Sequence, residues 1–469
     1  MPFVLITAAP NASPTATPFL PPIDGQATAT SLYYAEVPTL QPFLPTATAS
    51  PTDVPAAQPS PTIDLGSLFP TAAAPPPVDT SGEAPAALPL LTDKDTVNFL
   101  LIGSDKRPGG SFRTDTMVVV VLWPKNGQVS MISIPRDLWI YIPTVGMQRI
   151  NTAYQSGEIY GYGGGGPGLL RDAIAYNLGI RIDHTAMVEF DGFRRIVDTL
   201  GGVDVPVACS YTDWHLIDPS YDPYNENNWS LFTVNAGVTH MDGDLALWYA
   251  RSRQKSNDFD RGRRQQEVLR AIFARALSTD TLARIPQLYT DFSSTILTDL
   301  GLADLVKLAL YAPHLSNPNI RSYYIRPPYV SDWITPGGAD VLLPNQPALE
   351  QMLAQATSIS TTAVERQAIS IELQNGTANA GWDTLAANRL NYAGYNIRTS
   401  AADGNNYGTS VLMDLTTTQD AAARGALLDG LGLYSANVMS TPDPKSSVQY
   451  RLILGYDYQP CFQPQNLSH

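Results

Sequence analysis

Short continuous apolar runs rich in β-branched residues mark the first ordered part of the chain. They lie at 97–102, 117–123 and 129–134. A run without polar alternation is typical of a strand that is buried on both faces of a sheet. The pattern therefore predicts three neighbouring buried strands.

Two amphipathic helices are predicted after these strands. One apolar stripe recurs at every fourth position from Leu170 to Leu178 and stops before Gly179. A second stripe over 193–200 follows Asp191, which we expect to be its N-cap. Strands interleaved with helices predict the α/β class, with an αβα sandwich around a central mixed sheet. Ligands of such sheets bind in loops beyond the strand ends.

A second, smaller α/β unit is predicted towards the end of the chain. Its apolar periodicity gives the order βαββαβ. The expected strands and helices are, in order, 369–373, 385–393, 395–398, 411–415, 419–431 and 448–454.

The first 92 residues differ in composition from the rest of the chain. They hold 19 of the 39 prolines and none of the Lys or Arg residues. Proline favours extended polyproline-like conformations, and little periodic apolar pattern is present, so we expect a semi-rigid disordered stalk over 1–92. The apolar start at 3–6 is too short for a signal peptide or an anchor. Our hypothesis is that a membrane helix has been removed before it, and the alternative is a soluble protein with an unusual tail.

Charge and cysteine content exclude several classes of function. The net charge is -14, which repels nucleic acid, and we expect no nucleic-acid partner. Two cysteines cannot form a Cys-rich zinc site, and five scattered histidines argue against a His-based metal cage.

Two carboxylates stand at the two ends of one connection. Asp105 follows the first predicted strand, and Asp115 precedes the second. Adjacent strands can bring both groups onto one hard cation, and Mg²⁺ commonly takes one or two carboxylates, waters and phosphate oxygens. The alternative is that each Asp caps a turn.

Arginine and glutamine side chains cluster in the later loops. Alternation places Arg251 and Arg253 on one side if their segment is extended, and spacings of three and four place Arg261, Arg264 and Gln265 on one helix face. An excess of Arg over Lys in an acidic protein suits bidentate binding of phosphate. The apolar stripe beyond Gln265 suits a pyrophosphate that carries an apolar tail. The alternative for any single Arg is a surface salt bridge.

Four consecutive glycines at 163–166 resemble a phosphate cradle only superficially. No Gly-Lys-Ser/Thr follows them, so they do not form a P-loop. We expect a flexible loop near the mouth of the site.

Several ordered motifs together resemble the LytR-CpsA-Psr family over about residues 94–277, extending to about 350. They are FLLIGSDKR at 99–107, RTDT at 113–116, SIPRD at 133–137, RINTAY at 149–154, VDTLGGVD at 197–204, ALWYARSR at 246–253 and RQQ at 264–266. The last unit is similar to the LytR C-terminal domain. The resemblance therefore implies a catalytic domain over 93–355, a linker over 356–366 and the C-terminal domain over 367–469.

The family resemblance implies a membrane-anchored phosphotransferase on the extracytoplasmic face of the bacterial cell membrane, within the cell wall. Such an enzyme moves a glycopolymer from a polyprenyl-pyrophosphate carrier to peptidoglycan. Alternatives are a polyprenyl-pyrophosphate hydrolase at the same metal site, a non-catalytic polyprenyl-lipid or wall-binding protein, and a transcriptional regulator. The acidic charge and the missing DNA-binding helix pair disfavour the regulator.

Residue roles follow from the same resemblance. Asp105 and Asp115 would hold Mg²⁺, for which Mn²⁺ could substitute. Asp137 is a candidate base for the acceptor hydroxyl, or else a structural partner of Arg136. The expected pyrophosphate ligands are Arg113, Arg136, Arg251, Arg253, Arg261, Arg264 and Gln265.

The two cysteines lie far apart, at Cys209 and Cys461. In an extracytoplasmic protein they are most simply one disulfide that joins the C-terminal domain to the catalytic domain. The alternative is two buried free thiols.

Overall fold

A computed structural model describes residues 84–92, 95–106, 112–218, 220–253, 258–277, 285–292, 296–311, 315, 317–434 and 436–461. Most of the predicted stalk lies outside these residues. Its last part, 84–92, runs along a helix of the core, where the amides of Leu88 and Leu91 donate to the carbonyls of Tyr176 and Gly179.

The core comprises the elements that precede residue 357. In chain order they are β1 (Val97–Lys106), β2 (Phe112–Trp123), β3 (Gln128–Ile134), β4 (Trp139–Ile142), β5 (Gly146–Arg149), α1 (Ala153–Ile159), α2 (Gly165–Leu178), β6 (His184–Glu189), α3 (Phe190–Thr199), β7 (Val203–Val207), β8 (Tyr211–Leu216), β9 (Trp229–Val234), β10 (Gly237–Met241), α4 (Gly243–Arg251), α5 (Asp258–Ala276), α6 (Ile285–Phe292), β11 (Ile296–Thr298), α7 (Leu302–Ala309), β12 (Ile320–Tyr324), β13 (Val330–Ile334), β14 (Asp340–Pro344) and α8 (Gln346–Ala356).

Within the described residues, six core strands form one mixed sheet in the order β11-β6-β1-β2-β3-β12. The three predicted strands are its centre and pair antiparallel as β1, β2 and β3. β6 and β12 join them in parallel, on β1 and β3. Four shorter hairpins or ladders, β4-β5, β7-β10, β8-β9 and β13-β14, lie outside this sheet.

Both faces of the central sheet are covered by helices. Leu100 and Ile102 of β1 pack with Leu170 and Ile174 of α2 on one face. The alternate residues of β1 belong to a second cluster with α5 and α7 on the other face. This alternation explains the unbroken apolar runs, and it confirms the αβα sandwich.

The second predicted helix begins earlier than expected. α3 starts at Phe190 with Glu189 as its N-cap, so Asp191 lies in the first turn and is not the cap. The prediction for Asp191 was wrong because a helix first turn and an N-cap both favour Asp, which leaves the start of the helix ambiguous.

The last two glycines of the run at 163–166 are helical. Gly165 opens α2, and a Cβ on Gly166 would lie 2.5 Å from Cδ1 of Tyr154. The prediction of a flexible loop was therefore wrong for these two residues. Glycine is needed there because α1 and α2 approach each other too closely for a side chain.

The C-terminal domain forms a second sheet with its own apolar cluster. Its elements are α9 (Thr361–Gln367), which lies in the predicted linker, then β15 (Ser370–Asn375), α10 (Trp382–Tyr392), β16 (Asn396–Ala401), β17 (Val411–Asp414), α11 (Ala421–Leu431), β18 (Asn437–Ser440) and β19 (Tyr450–Leu454). The sheet order is β16-β15-β19-β17-β18. The predicted βαββαβ order is present, with β18 as one further strand at the edge.

A disulfide joins the C-terminal domain to the core. Cys209, in the turn before β8, is bonded to Cys461, and their Cα atoms are 4.4 Å apart. In the part of the chain that the model describes, no helix has both the length and the hydrophobicity to cross a membrane.

Candidate active site

A β-bulge shapes the loop end of the β1-β2 hairpin. Gly103 pairs with Thr116 and Ser104 pairs with Thr114, so Asp115 is the extra residue of β2. Bulges re-aim side chains and are frequent next to active sites. The backbone of Asp105 lies opposite that of Arg113 at the same end of the hairpin. The side chains of these two residues lie outside the described part of the structure.

Arg136 connects three carboxylates just beyond β3. Its Nη1 lies 3.2 Å from Oδ1 of Asp115, and its Nε lies 3.1 Å from Oδ2 of Asp137 and 3.5 Å from Oδ2 of Asp258. Burial would lower the pKa of Arg136, but the three carboxylates outweigh it and raise this pKa. Arg136 therefore remains charged and is held in place by acidic partners.

The first turns of α5 supply a second arginine to the same place. Nη1 of Arg261 lies 3.1 Å from Oδ1 of Asp258. Burial lowers the pKa of Arg261 to about 10, with further lowering by Arg253 and Arg136, against the opposing effect of Asp258. Arg136 and Arg261 thus share Asp258 as an ion-pair partner, and arginine is the side chain that binds phosphate oxygens in a bidentate geometry.

Gln265, one turn further along α5, ties the helix to β2 and α4. Its Nε2 donates to Oγ1 of Thr116 at 2.9 Å and to the carbonyl of Ala250 at 3.3 Å. Thr116 directly follows Asp115, so this contact fixes α5 against the bulge.

These side chains line one polar pocket between the end of the sheet and α5. Its lining includes Asp115, Thr116, Ser133, Arg136, Asp258, Arg261, Gln265 and Tyr324. Four predicted site residues, Asp115, Arg136, Arg261 and Gln265, therefore come together from three separate parts of the sequence.

Arg264 is not part of this pocket. Its side chain is fully buried and donates to the carbonyls of Tyr249 and Ser252, with its guanidinium carbon 4.1 Å from the ring centroid of Tyr211. A side chain with no exposed surface cannot meet a pyrophosphate, so the predicted ligand role of Arg264 is corrected to a structural one.

Arg251 and Arg253 are not arranged as two alternate residues of a strand. α4 continues to Arg251, and the helix ends there because Ser252 adopts a non-helical backbone. The guanidinium carbon of Arg251 lies 3.4 Å from the ring centroid of Phe190. The prediction that Arg251 and Arg253 lie on the same side required an extended segment, and this segment is not extended at Arg251.

Asp137 lies between two arginines. Besides Arg136, it contacts Nε of Arg149 at 3.4 Å, and it does not belong to the described lining of the pocket. These contacts fit the structural alternative that the sequence left open for Asp137.

The donor set of the pocket suits a hydrated divalent cation rather than a fully protein-bound one. Among the described residues, no group of three or more His, Cys, Asp or Glu could hold a metal. Asp115 and Asp258 nevertheless present carboxylate oxygens beside two arginines, and Asp105 follows on the neighbouring strand. The carboxylate oxygens of Asp115 and Asp258 are of the type that a hydrated hard cation takes together with phosphate oxygens.

A large apolar cavity lies beside the polar pocket, between the second face of the sheet and helices α5 to α7. Its volume is about 510 Å³. Leu269, Ile272 and Phe273 of α5 line it together with Phe99 and Val120 of the sheet. Arg261, Gln265, Leu269 and Phe273 follow one another at helical spacing, so α5 carries the polar pocket and the cavity on neighbouring turns.

Sequence reasoning missed Asp258, and although it expected an apolar tail along the stripe beyond Gln265, it did not indicate an open cavity there. Asp258 stands three residues before Arg261, a spacing that pairs opposite charges on a helix and could have indicated it. The cavity could not be found in this way, because an apolar stripe that lines a void looks the same as one that fills a core.

Comparison with known proteins identifies the family. The LytR_cpsA_psr family model matches residues 73–358, more than half of the chain. The chain belongs to this family.

LytR_cpsA_psr relatives match the core. The polyisoprenyl-teichoic acid–peptidoglycan teichoic acid transferase TagU of Oceanobacillus iheyensis is 32% identical over 47% of this chain and 63% of its own length. The probable cell wall biosynthesis protein LcpB of Corynebacterium glutamicum is 34% identical over 39% of this chain and 43% of its own length. The match thus spans about half to two thirds of these relatives. The crystal structure of Bacillus subtilis TagV shares 26% identity, covers 57% of this chain and all of that chain, and has a TM-score of 0.46.

Proposed function

We propose that this protein transfers a glycopolymer from a polyprenyl-pyrophosphate carrier to peptidoglycan. One observation carries the proposal: α5 lines both a polar pocket with two arginines and a large apolar cavity. A substrate that fits both has an anionic head and a long apolar tail. The relatives, a teichoic acid transferase and a probable cell wall biosynthesis protein, support the same chemistry.

Arg136 and Arg261 would bind the pyrophosphate. Without a ligand, both guanidinium groups pair with pocket carboxylates. An entering pyrophosphate offers oxygens of higher charge in a bidentate geometry, so it can replace Asp115 and Asp258 as the partner of these arginines. Gln265 would hold α5 in register with β2 and present its amide at the edge of the pocket.

The carboxylates released in this exchange would hold a cation. Asp105 and Asp115 are the residues that would bind Mg²⁺, with Asp258 close by. When bound, Mg²⁺ would neutralise the negative charge that develops on the leaving phosphate. The arginines supply the remaining positive charge in fixed positions, so no reorganisation is needed during the reaction.

The proposed reaction is a phosphoryl transfer. An acceptor hydroxyl of peptidoglycan forms a bond to the sugar-linked phosphorus, the bond from this phosphorus to the bridging oxygen breaks, and polyprenyl phosphate leaves. The hydroxyl proton goes to a base at the pocket. Asp137 is engaged by Arg136 and Arg149 and would act by holding Arg136 in position.

The proposed location is the extracytoplasmic face of the cell membrane, where peptidoglycan and the prenyl carrier meet. The Cys209–Cys461 disulfide supports this location, since disulfides persist in oxidising compartments.

The test is turnover of a polyprenyl-pyrophosphate-linked sugar by the full chain, with and without a peptidoglycan fragment. We expect Mg²⁺-dependent transfer to the fragment. Asp115→Asn and Arg136→Gln should each lower kcat by about 10²–10³, whereas Asp332→Asn, at an exposed site on the β13-β14 hairpin, should leave it unchanged. Release of sugar phosphate without transfer would favour the hydrolase. Binding without turnover would favour a binding protein.

A further inference from the structure

α5 has a second functional face that meets the C-terminal domain. Arg263 and Glu267 form an ion pair on this face, and Glu267 accepts a hydrogen bond from the hydroxyl of Tyr249 at 3.0 Å. Arg270, three residues beyond Glu267, faces Tyr392 at the end of α10. α10 packs against β7, β10, β12 and the 317–319 turn of the core, and Tyr392 adds a contact to the helix that carries the proposed site.

Arg270 is held on three sides. Its Nη2 donates to the carbonyl of Ile320 at 2.6 Å, and its Nε donates to Oγ of Ser322 at 3.2 Å. Its guanidinium carbon lies 4.0 Å from the ring centroid of Tyr392. Its Nη1 has no hydrogen-bond partner among the described residues.

Arg270 also lines the apolar cavity. It is the one charged side chain in the described part of the cavity lining, and it is 2% exposed. A buried charge beside an apolar space is costly unless neighbouring groups hold it and keep water out. Burial lowers the pKa of Arg270, and the nearby Tyr392, Tyr324 and Glu267 oppose this lowering.

We infer that Tyr392 of the C-terminal domain is a positioning residue for the prenyl tail, because its ring packs against the Arg270 guanidinium at the wall of the cavity. This inference rests on the proposed function. Without the ring, Arg270 can leave the β12 edge and draw water towards the tail. Through the contact of Tyr392 with Arg270, the C-terminal domain contributes to donor binding without touching the pyrophosphate.

Tyr392 lies among ionisable groups whose pKa values are shifted by burial. Arg389 lies one turn earlier on α10, and its pKa is lowered by burial and by the nearby Arg263, against the opposing effects of Tyr458 and Glu267. Withdrawal from solvent raises the pKa of Tyr392 to about 12. The Cys209–Cys461 bond provides a separate covalent tie between the same two domains.

The test measures the Kd of the full chain for undecaprenyl phosphate, with inorganic pyrophosphate as a probe of the head site alone. Tyr392→Leu keeps an apolar side chain but removes the aromatic face, and it should raise the Kd for undecaprenyl phosphate about fivefold or more. The Kd for pyrophosphate should stay within about twofold, because that probe has no tail. Tyr392→Phe should restore tight binding, and Tyr434→Leu, at an exposed tyrosine of the same domain, is the matched control.

A double-mutant cycle tests whether Tyr392 acts on tail binding through Arg270. In an Arg270→Met background, Tyr392→Leu should change the Kd for undecaprenyl phosphate by less than about twofold, because the partner of the ring is gone. Arg270→Lys, which keeps the charge but not the planar group, should weaken tail binding even if Tyr392→Leu does not fold.

Three results would overturn the inference. An unchanged Kd in Tyr392→Leu, or an equal effect of Tyr392→Leu in both backgrounds, would refute it while leaving the proposed function intact. No binding of undecaprenyl phosphate by the unmodified chain would refute the proposed function and this inference together.

Discussion

At the residue scale, position in the lining of the polar pocket separates the arginines that can bind a ligand from those that hold the fold. Arg136 and Arg261 line the polar pocket and form ion pairs with carboxylates that a ligand can displace. Arg264 is surrounded by protein acceptors, including Asp260 at 3.3 Å. Burial would raise the pKa of Asp260, but Arg263 and Arg264 outweigh it and lower this pKa.

Arg264→Ala should therefore destabilise the protein strongly. It leaves the carbonyls of Tyr249 and Ser252 without a donor and Asp260 with one cation fewer, at a cost of about 3–5 kcal/mol. Urea unfolding measures this cost. Arg326→Ala, at an exposed site, is the control and should change stability by less than about 0.5 kcal/mol. A loss below about 1 kcal/mol for Arg264→Ala would contradict the structural role.

At the element scale, patterns with a regular period were predictable from sequence and local irregularities were not. The apolar runs of β1 to β3 and the four-residue stripe of α2 correctly indicate strands and a helix. The bulge at Asp115 depends on how two strands pair, and the end of α4 at Arg251 depends on tertiary contacts. The edge strand β18 has four exposed residues and thus no buried face that a pattern could reveal.

The candidate site shows the same division. Side-chain chemistry and spacing correctly group Asp115, Arg136, Arg261 and Gln265, which line the same pocket. Arg264 was wrongly included because a helical face at spacings of three and four spans about 100° of the helix circumference. Part of that face turns into the core, and the sequence alone does not say which part.

Gly166 tests the packing of α1 against α2, and the helical Gly425 serves as its control. Gly166→Ala should destabilise the protein, since its Cβ would lie 2.5 Å from Cδ1 of Tyr154 and 2.6 Å from the carbonyl oxygen of the same residue. Gly425→Ala in α11 meets nothing within 4 Å and should stabilise by about 0.5–1 kcal/mol through helix propensity. Thermal unfolding of both variants checks this contrast. Equal effects of the two substitutions would mean that α1 and α2 are not in close contact.

At the scale of the whole molecule, the C-terminal domain is joined to the core by a covalent bond and by the packing of α10 on β7, β10, β12 and the 317–319 turn. The disulfide spans 252 residues of sequence. A bond that closes so long a loop restricts the unfolded chain, which is one reason that such disulfides stabilise.

Reduction of the Cys209–Cys461 bond should lower stability by about 2–4 kcal/mol. Cys461 is exposed, so a reductant can reach it. The double variant Cys209→Ser with Cys461→Ser should unfold at the temperature of the reduced protein, whether or not reductant is present. Titration of two free thiols in the untreated protein would refute the bond.

The central claim is that one donor occupies both the polar pocket and the apolar cavity. A crystal structure of the full chain with a polyprenyl-pyrophosphate-linked sugar tests it most directly. We expect the phosphate oxygens within about 3 Å of Arg136 and Arg261, and the prenyl chain against Leu269 and Phe273. A pyrophosphate bound away from these arginines, or a cavity that stays empty while the head is bound, would contradict the claim.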